Sequence, residues 1–312
     1  FALVKSISII KYTYHMTISR QTLSAVIVTF KSERVIHDCI KSIPNEIKII
    51  VVDNSNDTKF KENIEKKYDN VECILSPNNL GMGSGNNLGL KHVKTDYAFI
   101  LNPDVVLKED AIEEIIDGSK KIDSFAILAP LSVDTKYPNF KIDKKSRNEI
   151  NDILPFNVKS VDGYAMLLNL KKINEIETFK NLNYFDENFF MYLENDDLCK
   201  RLITFNQNIV IVPKSKIKHL GAQAVNPDYA HEVELSRNWH WIWSKFYYNK
   251  KYYGFLISLL IGFPNFLSAN LKFLFYLFLN KNKKKQIYLQ RVLGFINAVA
   301  GKRSSYRPNI NS

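Results

Sequence analysis

An alternation beginning at residue 23 restricts this chain more than any other feature. Four short apolar runs, LSAVIVTF (23–30), IKIIVV (47–52), VECIL (71–75) and YAFIL (97–101), are separated by segments whose apolar residues fall three and four apart. In ERVIHDCIKSI, Val35, Ile36, Cys39, Ile40 and Ile43 form one helical stripe, and KFKENIEKKY and LGLKHV are helical in spacing too. Continuous apolar runs belong to strands covered on both faces, and strands alternating with helices at this pitch build βαβ units. The expectation is an α/β fold: a Rossmann-like, mostly parallel sheet flanked by helices, with residues 23–130 as a nucleotide-binding half.

Open sheets of this kind bind ligands at the carboxyl ends of their strands. Asp53 ends the second run in VVDNSND, where it either accepts from a ribose hydroxyl or base N–H or closes an Asx turn. SPNNLGMGSGNNLGL (76–90) is a glycine-bearing loop opening a helix. It matches neither common phosphate-loop signature, so it reads as a turn or as a close backbone approach to phosphate. The fourth run continues as YAFILNPDVVL, with Asn102 and Asp104 at its tip. Asn-Pro-Asp is good turn chemistry, yet two oxygen ligands at a strand end can also hold a divalent ion that bridges a diphosphate.

Residues 131–160 lose periodicity and read as an irregular crossing. VDGYAMLLNL (161–170) resumes as a strand, NDDLCKRLITF starts a helix with Leu198 and Leu202 one turn apart, and NIVIVP (208–213) is a short strand. Residues 131–235 form the expected acceptor and catalytic half. Glu194, Asp196 and Asp197 crowd the first turn of that helix. Acids there complement the helix dipole. Three carboxylates within four residues exceed that need, and a carboxylate over a bound electrophile can take a proton from an attacking hydroxyl. His219, in KIKHLG, is either a structural histidine or a ligand for metal or phosphate.

With 46% hydrophobic and 24% charged residues the chain is globular in composition, and its net charge of +11 favours an anionic partner. The basic residues cluster around aliphatic segments and no DNA or RNA motif is present, so nucleic acid is the least favoured partner. Cys39, Cys73 and Cys199 lie far apart with no CxxC, as expected of small core residues in a reducing compartment. The opening FALVKSISIIKYTYH is too polar for a signal peptide, so residues 1–22 read as a leader or extension with Met16 as a candidate start. A cytoplasmic protein is expected.

Taken in order, AVIVTFKSE, IIVVDNSND, NNLGMGSGNNLGL, FILNPDV, VDGYAMLL, FDENFFMYLENDDLCKR and VPKSKIKHLG resemble the family 2 glycosyltransferases, in particular their rhamnosyltransferase-like branch. The resemblance covers residues 23–222. It implies a GT-A fold and inverting transfer of a sugar, with rhamnose a candidate, from a dTDP- or UDP-linked donor in bacterial surface polysaccharide synthesis. Carried over, Thr29, Phe30 and Glu33 line the nucleotide pocket with Asn54, Gly81 and Asn86, and Asp53 meets the base. Asn102 and Asp104 stand at the family's DxD metal motif, where Asp104 would coordinate Mg²⁺ or Mn²⁺ with help from His219. The family often reads Glu-Asp-x-Asp where this chain reads Glu194-Asn195-Asp196-Asp197. The position usually credited as base is thus an amide, and Asp196 is the expected replacement, ahead of Glu194 and Asp197.

Residues 236–312 change character, with an aromatic and aliphatic run over 253–279 between basic flanks. Pro264, Asn265, Asn270 and Lys272 interrupt that run, so a pair of interfacial amphipathic helices on anionic lipid is expected, or else a helical lid on the catalytic domain. A peripheral position at the inner face of the membrane would suit a polyprenyl-diphosphate-linked glycan acceptor. Two other readings stand beside this one. A nucleotidyltransferase would need a glycine-and-basic signature near the first strand, which AVIVTFKSE lacks, and a degenerate sugar-nucleotide binder would bind donor without transfer.

Overall fold

The computed structural model describes residues 18–134, 137–143, 150–180, 183–221 and 225–309. The strands β1 (Leu23–Thr29), β2 (Lys48–Asp53), β3 (Val71–Leu75) and β4 (Tyr97–Leu101) pair in parallel in the order β3-β2-β1-β4. Helices α1 (Glu33–Lys41), α2 (Thr58–Lys67) and α3 (Gly81–Leu90) connect them. Side chains alternate across the sheet, so Ala25, Ile27, Ile49 and Val51 share one core with Ile36, Ile40, Phe60 and Ile64. Val26 and Ile50 face the other core, with Leu90 of α3. Each such aliphatic side chain contributes about 1.5–3 kcal/mol on burial, which is why these runs resist any exposed conformation.

Helix α3 begins well before the LGLKHV spacing indicated, and it takes in most of the glycine-bearing segment. Glycine weakens a helix, and here it is needed for packing. A Cβ on Gly85 would lie 2.8 Å from Val28 Cγ1, and one on Gly89 would lie 2.5 Å from Val26 Cγ1. The glycines bring α3 down onto β1, so the close approach expected for a ligand is made by the protein itself.

Beyond β4 the chain forms β5 (Val105–Leu107), α4 (Ala111–Ser119) and β6 (Ile127–Ser132). The segment expected to be irregular then gives only the two-residue strands β7 (Phe140–Lys141), β8 (Phe156–Asn157) and β9 (Ser160–Val161). Residues 135–136 and 144–149 of it lie outside the described residues, as do residues 1–17 of the expected leader. Next come β10 (Ala165–Asn169), α5 (Leu170–Asn174), α6 (Glu177–Lys180), α7 (Glu194–Thr204) and β11 (Ile209–His219). β11 outruns the short strand expected from NIVIVP because a register shift between Val212 and Lys216 carries it past Pro213.

Among the described residues nine of these strands form one sheet, ordered β3-β2-β1-β4-β10-β6-β11-β5 with β8 on β11, and β7 pairs antiparallel with β9 as a separate two-stranded sheet. β10 runs antiparallel to both β4 and β6. Connections leave β1 toward β2 on one side and reach β4 on the other, so the crevice rule places a ligand beyond the carboxyl ends of β1 and β4.

Three long helices follow: α8 (Ala230–Tyr253), α9 (Phe255–Phe278) and α10 (Asn282–Val299). Trp239, Trp243 and Phe246 of α8 pack with Phe295 and Ala298 of α10 as a separate core. The expected pair of helices over 253–279 is a single helix. Pro264 is tolerated because it sits on the solvent side, and the carbonyl it leaves without a donor belongs to Leu260, which is 74% exposed. The inner face of α9 packs through Gly262 and Phe266 on Phe295, while Leu256, Leu260, Leu271 and Phe278 stand open. By length and composition α9 could cross a membrane. Its neighbour α10 lies alongside, with Tyr276 stacked on Tyr288 and Phe266 on Phe295, and it carries Lys283, Lys284, Lys285 and Arg291.

Candidate active site

The crevice at the strand ends is a cavity of about 620 Å³. Thr29 and Phe30 at the end of β1, Asn54 after β2, Gly81 at the start of α3, and Asn102 and Asp104 after β4 all line it. From the second half of the chain come Asp162 just after β9, His219 at the end of β11 and the first turn of α7. Loops from five strand ends therefore converge, as the topology requires.

Among the described residues, seven buried side-chain polar atoms have no hydrogen-bond partner. Five of them, Thr29 Oγ1, Asn102 Oδ1, Asp104 Oδ1, Glu194 Oε2 and Ser236 Oγ, belong to residues lining this one cavity. An unmade buried hydrogen bond costs about 1–3 kcal/mol, so their concentration here marks a place built for a polar ligand rather than for packing.

Several expected site residues lie elsewhere. Glu33 is exposed on the first turn of α1 and faces a separate depression with His37 and Asp57, because the buried stripe of α1 runs through Val35 and Ile36. Asp53 is buried but does not line the cavity. Its carboxylate accepts from Ser55 N–H at 3.0 Å and Asp57 N–H at 2.8 Å, which is the Asx-turn alternative. Burial raises its carboxyl above the usual range. Asn86 is buried on α3 and also stays off the cavity. Asn54 contributes to the wall by clamping the loop before α3: its Nδ2 donates to Gly81 O at 3.1 Å and its Oδ1 accepts from Leu80 N–H at 3.3 Å.

The four residues that open α7 separate by role. Asp197 is fully buried and off the cavity; its carboxylate accepts from Arg201 Nε at 2.7 Å and Tyr252 Oη at 2.8 Å and lies 2.6 Å from Lys251 Nζ. A base so fully engaged has no face left for a substrate. Asn195 donates from Nδ2 to Val161 O at 2.7 Å, a bond no carboxylate could make, and Gly163 leaves the room for it. Asp196 lines the cavity, but both its oxygens meet Lys141 Nζ, at 2.7 and 2.6 Å. Glu194 lines the cavity with Oε2 unpartnered, and burial pushes its carboxyl up to about 7. Tyr192 and Leu193, just before it, both have left-handed backbone, with φ of 71° and 68°. Such strain in non-glycine residues persists only where the surroundings impose it.

Among the described residues no group of three or more His, Cys, Asp or Glu side chains is gathered for a metal. The strand ends offer a smaller set. Asn102 Oδ1 and Asp104 Oδ1 are buried without a hydrogen bond, and His219 Nε2 lies at ion-pair distance, 3.3 Å, from Asp104 Oδ1 with its ring stacked on Tyr164. Mg²⁺ commonly takes one or two carboxylates and draws its other ligands from water and substrate phosphate. These residues fit a cation shared with a diphosphate, and do not fit one enclosed by protein.

The profile of the family described as glycosyl transferase family 2 matches residues 24–194. The chain belongs to that family. It is 26% identical over 205 residues to the low-salt glycan biosynthesis hexosyltransferase Agl10 of Haloferax volcanii, a match covering 60% of this chain and 63% of that protein. It is also 28% identical over 192 residues to the rhamnosyltransferase WbbL of Escherichia coli, across 53% of this chain and 70% of the relative. Among solved structures, the mannosyltransferase PcManGT of Pyrobaculum calidifontis, in complex with GDP-Man and Mn²⁺, superposes with a TM-score of 0.53 at 9% identity. That likeness covers 91% of this chain and 89% of the other, and it shows a shared GT-A fold. The chain thus has the fold and the sugar-transferring family that its strand-end residues resemble.

Lys141, Asp162, Ser236, Arg237 and Trp241 also line the cavity, and motif reading did not single them out. Asp162 was within view as the acid of VDGYAMLL, and burial raises its carboxyl too. Lys141 lies in the segment without periodicity. The other three sit on α8, beyond the residues the family profile matches.

Proposed function

We propose that this chain is an inverting glycosyltransferase that moves a sugar from a dTDP- or UDP-linked donor to a hydroxyl of a glycan carried on a lipid diphosphate, with Glu194 as general base. One observation carries the reading: a buried carboxylate with a free oxygen lines the same cavity as Asn102 and Asp104, whose Oδ1 atoms make no hydrogen bond. A carboxyl near 7 is matched to proton transfer at neutral pH, whereas Asp196 is held by Lys141 and Asp197 by three donors.

In this scheme Glu194 takes the proton of the acceptor hydroxyl. The acceptor oxygen then attacks the anomeric carbon from the side opposite the nucleoside diphosphate, the new C–O bond forms as the bond to phosphate oxygen breaks, and the centre inverts. Thr29, Phe30, Asn54 and Gly81 form the wall that would hold the nucleotide. Asn102, Asp104 and His219 would hold Mg²⁺ or Mn²⁺, which when bound offsets the charge developing on the departing diphosphate. Rhamnose is a candidate sugar by likeness to the branch, and surface polysaccharide assembly is the setting that branch would supply.

The open face of α9 supports a position on a membrane. Leu256, Leu260, Leu271 and Phe278 form an exposed apolar ridge, with Lys250 and Lys251 before it and Lys281 to Lys285 after it. A spanning orientation would draw Lys272 of α9 and Arg291 of the adjoining α10 into hydrocarbon, so an in-plane helix on anionic headgroups at the cytoplasmic face is favoured. Such a position would present lipid-linked acceptors to the cavity.

The test is a panel of nucleotide sugars with Mn²⁺ or Mg²⁺ and lipid-diphosphate acceptors, run on wild type, Glu194→Gln and Asp104→Ala. Transfer by wild type with loss in both variants is expected. Donor binding with no transfer to any acceptor would instead favour a degenerate binder.

A further inference from the structure

Helix α8 forms one wall of the cavity and lies wholly outside the segment matched by the family profile, 24–194. Ser236 on that wall is 2% exposed, and its Oγ has no partner. Serine within a helix commonly bonds back to the preceding turn, as Ser258 does to Gly254 O at 2.9 Å, or reaches another segment, as Ser244 does to Met191 O at 2.7 Å. Ser236 does neither. The next residue, Arg237, is half-buried at the same cavity, and among the described residues its guanidinium has no hydrogen bond or ion pair. Arg201, Arg291 and Arg307 each have a partner.

Charge points the same way. The charged residues lining the cavity are Asp104, Asp162, Glu194 and Asp196 against Lys141, His219 and Arg237. Lys141 is committed to Asp196, and His219 lies against Asp104. Arg237 is therefore the uncommitted cation among the described lining residues, in a wall that is otherwise net acidic. A guanidinium presents a planar fork of N–H donors that matches phosphate oxygens, and a hydroxyl beside it can supply one more. Trp241, one turn further along α8 and 40% exposed, adds an aromatic surface beside this pair.

We propose that Ser236 and Arg237 form a phosphate-binding subsite on the α8 wall of the cavity, with Trp241 packing against the sugar joined to that phosphate. The inference rests on the reading of the cavity as a sugar-transfer site. The phosphate has two possible sources: the donor diphosphate, or the diphosphate that links an acceptor sugar to its carrier.

The experiment uses the full chain as wild type, Arg237→Gln, Arg237→Lys and Ser236→Ala. Titration calorimetry with inorganic pyrophosphate and with UDP, in the presence of Mn²⁺, is paired with kinetics on matched acceptors with and without a lipid diphosphate. Thermal melts check folding, which Arg237→Gln leaves intact because the guanidinium holds no protein partner. If the donor is the source, pyrophosphate and UDP bind about ten- to a hundredfold more weakly to Arg237→Gln, with partial rescue by lysine. If the acceptor is the source, those affinities stay at wild-type values and KM rises about tenfold or more for the diphosphate-linked acceptor alone. Either result supports the subsite and names its source. Wild-type affinities and KM values throughout for Arg237→Gln overturn it, as does a wild type that binds no pyrophosphate and does not distinguish the acceptors. A wild type that transfers no sugar, yet loses pyrophosphate affinity on Arg237→Gln, would keep the subsite and remove the enzymatic reading.

Discussion

Lys141 Nζ contacts both carboxylate oxygens of Asp196, at 2.7 and 2.6 Å, and so engages the acid that the motif alone favours as base. Glu194, two residues earlier, has an unpartnered oxygen. Glu194→Gln is expected to lower kcat by about a hundred- to ten-thousandfold while nucleotide affinity is kept. Asp196→Asn disturbs a partly exposed ion pair and is expected to cost no more than about tenfold. Steady-state kinetics on the two variants decide between the acids, and the reverse order of effects would return the role to Asp196.

The raised Glu194 carboxyl also predicts two pH dependences of opposite direction. With Glu194 as the proposed base, transfer would need its deprotonated form, so the wild-type rate should rise through a limb near pH 7 that is absent in Glu194→Gln. Stability should fall over the same range. A folded-state value of about 7 against an ordinary 4.5 means that the native protein holds a proton the unfolded chain has lost. The stabilisation is complete below 4.5 and gone above about 7, an order-of-magnitude loss of about 3 kcal/mol. Urea melts across this window should show the slope for wild type and a flatter line for the glutamine variant.

Asp197 is expected to behave as a structural acid. Removing it takes the carboxylate from Arg201 and Tyr252 and leaves Lys251 on Asp186 alone; breaking a buried charge cluster costs about 3–5 kcal/mol, and the remaining pair and the partial exposure of both cations put this one at the lower end. Asp197→Ala should therefore lower the denaturation midpoint sharply. A variant of wild-type stability that is dead in transfer would contradict this and make Asp197 a direct participant.

Asp104→Ala should abolish the response of nucleotide affinity to added Mn²⁺, and His219→Ala should weaken it. Titration of UDP with and without the metal reads this directly. Equal metal dependence in Asp104→Ala would place the cation elsewhere.

The open face of α9 predicts cosedimentation with anionic vesicles that weakens as salt is raised. Leu260→Glu and Phe278→Glu, both on exposed positions, should reduce binding without changing the melting temperature. Binding that ignores both substitutions would exclude this face.

The first four strands were legible because apolar runs mark them, and YAFIL matches the fully buried β4 residue for residue. The position of Asn102 and Asp104 at the cavity could be read for the same reason, since a strand that can be read has a readable end. Glu33 lies off this cavity, because nearness in sequence to β1 says nothing about which side of α1 a residue occupies. Asp53 carried two meanings that only its hydrogen bonds separate. The segment containing Lys141 has no periodicity to read, and the pattern of α8 reports its packed tryptophans rather than the residues it turns toward the cavity. Pro264 misled for a related reason: a break in composition ends a helix only when the freed carbonyl has no access to water.

The ties from Lys251 and Tyr252 to Asp197 have one more consequence. They fasten the far end of the helix bearing Arg237 and Trp241 to the helix bearing Glu194, and Ser244 moors the same helix to Met191 O nearer the cavity. Under the proposed function, an acceptor alcohol would meet a wall already anchored at two points before any donor has arrived.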